Sequence, residues 1–202
     1  LWCLDAVRNG WLGQIFEIQA CMSHNYGGDS YQDYIGSMKG GIMFNLGCHV
    51  IDVIVGMLGR PDGVTPFLKS APGYPASVQN HCLAILDYPH ATATVRACSL
   101  EVNGHSNRRL KICGTNGTVE LCPLERFDGQ PMTMRLSLKD AIPGYSSGTH
   151  ALDFGIRKDR YTDQLEEFAG IIEGRLPDRT SFEHDYLVQD VLLSASGYTP
   201  WK

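Results

Sequence analysis

The residues best suited to chemistry lie in one segment, Gly40-Gly41-Ile42-Met43-Phe44-Asn45-Leu46-Gly47-Cys48-His49-Val50-Ile51-Asp52. Its apolar spacing predicts a helix over 42–58, ended by Gly59 and Pro61. Asn45 and His49 are four apart, so they share a helix face. Asp52 is three beyond His49 and is placed to accept a hydrogen bond from its ring. A near-neutral imidazole can take a proton from a hydroxyl. Gly47 and Cys48 are small and would let a ligand approach the helix. The same polar face also suits a buried histidine satisfied by Asp52 with no chemistry, and spacing alone leaves both readings open.

The rest of the chain must position that helix. Leu1, Leu4 and Val7 recur at helical spacing, and Gly10 stops the pattern. No capping residue precedes Leu1, so the native chain is expected to begin further upstream. Residues 13–20 alternate as a strand. Residues 23–40, rich in Ser, Gly, Asp and Tyr, read as a loop. Strands are expected over 64–70, 79–88, 92–100, 109–113, 118–122 and 132–138. Asn116-Gly117 supplies a hairpin signal between two of them and is preferred over the glycosylation sequon it also completes. Residues 140–158 read as a second loop. Helices follow over 161–172, with Leu165, Phe168, Ala169 and Ile172 on one face, and over 183–197, with Val188, Val191, Leu192 and Ala195 inward. This order predicts a single α+β domain over 1–202: one large, mostly antiparallel sheet with helices on one face. Strand 79–88 carries apolar groups on both faces, which predicts burial of the open face in a homodimer or homotetramer.

Composition narrows the function. The 202 residues are 43% hydrophobic and 19% charged, with a formal net charge of −5. No basic stripe occurs, which argues against nucleic acid as a partner. No apolar run is long enough for a membrane span, and no signal-peptide pattern is present. Seven scattered cysteines, an odd number, suit buried thiols in a reducing compartment, so a cytoplasmic location is expected. Cys21 and His24 form a C-x-x-H, but positions three apart in a strand face opposite ways, and no metal site is expected. No serine–histidine–acid triad can be assigned, since triads are recognised by geometry.

The helix segment resembles the signature of the Gfo/Idh/MocA oxidoreductases, approximately G-G-G-x-x-x-D-x-G-x-H-x-x-D followed by L-x-G-x-P. Gly40, Gly41, Gly47, His49, Asp52, Leu58, Gly59 and Pro61 stand in register. Gly10-x-x-Gly13-x-Ile15 resembles the family's entry into this domain, 109–118 its hairpin, and Tyr161, Gln164, Leu165 and Phe168 its penultimate helix. The resemblance implies the C-terminal, glyceraldehyde-3-phosphate-dehydrogenase-like domain of an enzyme that moves hydride between a sugar or polyol and NAD or NADP. It assigns catalysis to His49 and Asn45, with Asp52 behind them. Asn45 departs from the family's acidic residue: an amide can hydrogen-bond but cannot stabilise a protonated His49 by charge. By the same resemblance, the loop bearing His24, Asn25 and Tyr26 lies beside the substrate, where polar groups and an aromatic suit a sugar. Arg157, Lys158 and Tyr161 are weaker candidates, while His81, His90, His105, His150 and His184 have no supporting constellation.

The chain contains neither the G-x-G-x-x-G dinucleotide fingerprint nor the family's E-K-P motif. No Rossmann domain is therefore expected within it, and the chain alone is expected to bind cofactor poorly and to be inactive. Two other readings remain open: an NAD-assisted glycosidase, or a non-catalytic module for sugar binding or oligomerisation.

Overall fold

The computed structural model describes residues 2–26, 28–157, 159, 161–177 and 181–202. Its centre is an eight-stranded sheet in the order β2-β3-β4-β1-β5-β6-β7-β8. The strands are β1 (Ile15–Ser23), β2 (Gly63–Lys69), β3 (His81–Asp87), β4 (Thr92–Cys98), β5 (Arg109–Gly114), β6 (Gly117–Leu121), β7 (Thr133–Leu138) and β8 (Gly148–Asp153). All neighbours pair antiparallel except β1 and β4, which run parallel. The α+β architecture expected from the sequence is the one observed.

The helices are α1 (Trp2–Arg8), α2 (Gly28–Gly36), α3 (Cys48–Leu58), α4 (Thr162–Ile172) and α5 (Phe182–Ala195). Ile51, Ile54 and Val55 of α3 and Val191 and Ala195 of α5 pack with Cys82, Ala84, Leu86, Ala93 and Val95 of the sheet in one core. Full burial of a branched aliphatic side chain stabilises by about 1.5–3 kcal/mol, so this layer fixes α3 firmly. The alternation along β3 decides which way it faces. Cys82, Ala84 and Leu86 are wholly buried, while His81 and Asp87 on the opposite face are exposed.

Three sequence expectations change. Residues 23–40 are not a continuous loop but hold α2. Its short length and polar composition hide it, and it is anchored by buried Ile35 and by Gln32. Gln32 Oε1 accepts from Asn80 Nδ2 and Ser99 Oγ, both at 3.2 Å. Residues 140–158 contain β8, whose side chains are mostly exposed, so its apolar period is faint. The expected helix 42–58 is a π-helical turn, Met43–Gly47, continued by α3.

Backbone approach explains two glycines. Gly41 has φ +48°, and a Cβ there would lie 2.1 Å from the Gln79 carbonyl oxygen. Gly13 has φ +72°, and a Cβ would lie 2.3 Å from Thr115 Oγ1 at the tip of the β5–β6 hairpin. That hairpin turns at Thr115 and Asn116, with Gly117 already in β6. Asn116 Nδ2 donates to Trp11 O at 3.0 Å and Oδ1 accepts from Asp140 N at 2.9 Å, which locks the turn.

Helix α4 stands apart from the core. Its apolar face is formed as expected, but Leu165, Phe168 and Ile172 are 65%, 61% and 71% exposed. The inward face of α5 agrees with the sequence reading at Val191, Leu192 and Ala195.

Candidate active-site surface

The end of β1, the middle of α2 and the π-helical turn bring three side chains into one hydrogen-bonded chain. His24, fully buried, follows the last residue of β1. Its backbone continues the sheet, with N donating to Cys98 O at 3.0 Å and O accepting from Glu101 N at 3.1 Å. Its Nδ1 accepts from the Tyr26 backbone N at 3.4 Å, which leaves the ring proton of the neutral form on Nε2. Nε2 then donates to Tyr31 Oη, 3.1 Å away. Tyr31 Oη donates in turn to Asn45 Oδ1 at 2.7 Å. Each group uses its proton once and in one direction.

The surroundings favour this neutral state. The His24 ring stacks on Tyr26 at 3.7 Å between centroids and meets Tyr31 edge-on at 4.9 Å. Burial, with help from the Arg108 and His105 charges, lowers the His24 pKa to about 4. Burial, together with Tyr26 and Tyr34, pushes Tyr31 up to about 12. Both groups therefore stay uncharged through neutral pH. Arg108 is itself buried, with Nε donating to Ser23 O at 3.0 Å and an ion pair to Glu125.

The sequence candidates divide. His24, Tyr26 and Asn45 come together through Tyr31, which the sequence reading did not single out. Its signal was the run of tyrosines at 26, 31 and 34, whose partners only the fold reveals. Asn25 is exposed and joins none of these bonds. His49 lies exposed in the first turn of α3, four residues beyond Asn45. The Asp52 carboxylate is bonded to His184 Nε2 at 2.7 Å. This pair ties α3 to α5 and gives His184 a structural role. Gly47 is buried, and a Cβ there would lie 2.4 Å from Met43 Sδ, so its smallness serves packing.

Other candidates stay apart. Arg157 pairs with Asp163 at 2.6 Å and Tyr161 is exposed, while Lys158 and Leu1 lie outside the described residues. Cys21 bonds Ser23 Oγ at 3.2 Å and receives Arg96 Nη1 at 3.2 Å, whereas His24 turns to Tyr31, so the C-x-x-H does not converge. Among the described residues no group of three metal-binding side chains gathers. No helix among them is long and apolar enough to cross a membrane. All seven cysteines are free thiols.

Five surface clefts of about 280–570 Å³ are lined by other residues. One, of about 490 Å³, lies on the open face of the sheet and is lined by Gln19, Cys21, Leu83, Thr94, Arg96 and Arg109, among others. On the helix face of the candidate site, His49 is exposed and Asn45 half-buried. The strand β1, parallel to β4, runs into buried His24.

The profile of the GFO/IDH/MocA C-terminal domain matches residues 3–120, more than half of the chain. The fold, the helix signature and this match place the chain in the GFO/IDH/MocA family, as its C-terminal domain. A search of curated proteins returned no match. Solved structures share the fold. An NAD-binding oxidoreductase from Klebsiella pneumoniae superposes with a TM-score of 0.73 at 16% identity, over 98% of this chain and 60% of that one. Levoglucosan dehydrogenase in complex with NADH and levoglucosan gives 0.71 at 14% identity, over 96% and 60%. An oxidoreductase from Bacillus cereus gives 0.67 at 16% identity, over 99% and 62%. The chain therefore spans about three fifths of the length of these structures.

Proposed function

We propose that this domain is the substrate side of an NAD(P)-dependent oxidoreductase acting on a sugar or polyol, with the dinucleotide held by a separate nucleotide-binding domain. The observation that carries this reading is the surface on the π-helical turn and α3, where Asn45, fixed by Tyr31, lies four residues before exposed His49. Family membership and the fold shared with an NADH- and levoglucosan-bound dehydrogenase support it. The exposure of His49 suits a site closed by a second domain.

A bound nicotinamide would supply the acceptor or donor of hydride. This chain would supply the rest. His49 exchanges the proton of the reacting hydroxyl, a role that needs an imidazole within hydrogen-bond reach of that oxygen. Asn45 orients the substrate by hydrogen bonding, and Tyr26, 54% exposed, offers an aromatic face to a sugar ring. Two copies pair through the open sheet face, where Phe67 and Leu83 are cross-strand neighbours. Size-exclusion chromatography of the concentrated chain should show a dimer or tetramer, and a clean monomer would count against the pairing.

The activity is tested by titrating the chain, joined to the coding segment upstream of it, with NAD, NADP and a panel of sugars and polyols. The reading expects dinucleotide binding in the joined protein and not in the chain alone. Absence of dinucleotide binding in the joined protein would refute it.

A further inference from the structure

The direction of the hydrogen bonds through Tyr31 fixes which end of the Asn45 amide a ligand meets. His24 Nδ1 is taken by the Tyr26 N–H, so the ring donates from Nε2 to Tyr31 Oη. The single proton of Tyr31 is then free to go only to Asn45, and Asn45 must answer with Oδ1. Flipping the amide would set two donors against each other and leave a hydrogen bond unmade. Nδ2 is consequently turned away from Tyr31. It has no protein partner among the described residues, and it is not among the polar atoms shut away from solvent.

We propose that Asn45 sets the specificity of this surface: locked by Tyr31, it presents Nδ2 as an obligate donor and selects a sugar derivative bearing a proton-free oxygen, a carbonyl or carboxylate, over one bearing hydroxyls alone. This rests on the preceding reading that the surface takes a sugar. A hydroxyl can also accept from Nδ2. However, a carboxylate accepts roughly twice as strongly as a neutral group. One such bond corresponds to a preference of about threefold to tenfold.

The test is a nuclear magnetic resonance titration of the ¹⁵N-labelled chain. The Asn45 side-chain amide is identified by its loss in Asn45→Asp. Three probes share a six-membered ring: glucuronate (carboxylate), glucono-lactam (neutral carbonyl) and 1,5-anhydroglucitol (hydroxyls only). The expected result is a shift of the Asn45 Nδ2 resonances by glucuronate, the lactam or both, with about threefold to tenfold tighter binding than anhydroglucitol. Response to glucuronate alone identifies the carboxylate as the selected group; response to the lactam shows that a neutral carbonyl suffices. Tyr31→Phe, with its backbone spectrum retained, should erase the preference. Should that variant unfold, Asn45→Asp serves instead, since it keeps the Tyr31 bond and replaces the donor by an acceptor. It should weaken glucuronate binding more than tenfold (on the order of a lost charge-assisted bond) and spare anhydroglucitol. Equal affinities, or binding that leaves the Asn45 amide unmoved, overturn the proposal while leaving the sugar reading standing. Binding of no probe, by the chain alone or joined to its upstream segment, overturns both.

Discussion

Tyr31 and Asn45 are joined by a 2.7 Å hydrogen bond that links α2 to the π-helical turn. The same tyrosine oxygen accepts from buried His24, so one hydroxyl holds three elements together. Tyr31→Phe leaves the His24 donor without a partner in the interior. An orphaned buried donor costs about 1–3 kcal/mol, and urea denaturation should show a loss of that size. A loss below about 0.5 kcal/mol, the scale of an ordinary surface change, would mean that the chain of bonds contributes little.

Acid should expose the burial of His24. Unfolded, the ring takes a proton near its ordinary value of 6.5; folded, it stays neutral down to about 4. Between those values the unfolded chain binds a proton that the native chain refuses. Stability therefore falls as pH drops from about 6.5 to about 4, by on the order of 2–3 kcal/mol from this group. Above pH 6.5 this contribution is complete. The His24 ring resonance should titrate near 4, and a midpoint close to 6.5 would contradict the account. His24→Gln should lack this limb of the stability profile.

Two glycines of similar backbone conformation should respond differently to alanine. Gly10 has φ +68° and open space where a Cβ would stand, whereas at Gly41 the Gln79 carbonyl is 2.1 Å away. Gly10→Ala bears backbone strain alone, about 1 kcal/mol. Gly41→Ala adds overpacking and should cost about 3 kcal/mol or more. Thermal or urea denaturation of the two variants separates the contributions; equal losses would remove the close approach as the reason for Gly41.

The exposure of α4 makes a further contrast. Leu165→Lys and Phe168→Lys should each change the stability of this chain by less than about 0.5 kcal/mol, because neither side chain is buried. Ile51→Ala, within the core under α3, should cost about 2–5 kcal/mol. A large loss from either α4 substitution would place that helix against the core.

Much of this was legible in the sequence. Seven strands and the long α3 announced themselves because buried apolar residues impose a clear period. The polar spacing of Asn45 and His49 likewise marked the helix that carries the candidate site. Helix α2 and strand β8 did not, because few of their side chains are buried and they hold their places by polar contacts and ladder pairing. Asp52 shows the other limit. Its bond to His184, 132 positions away in the chain, forms across the packed helices, where no local spacing announces it. Tyr31 was invisible for the same reason, since its meaning comes from His24 and Asn45 arriving from two other elements.

The central claim is that His49 serves a nicotinamide-linked reaction on a sugar or polyol. It is tested most directly by following nicotinamide absorbance in the chain joined to its upstream segment, with a sugar and polyol panel, against His49→Ala. The account predicts substrate-dependent reduction that falls by about 10²–10⁴-fold in the variant, the scale of a lost proton-transfer group, with dinucleotide binding intact. Turnover unchanged by His49→Ala would remove His49 from the chemistry.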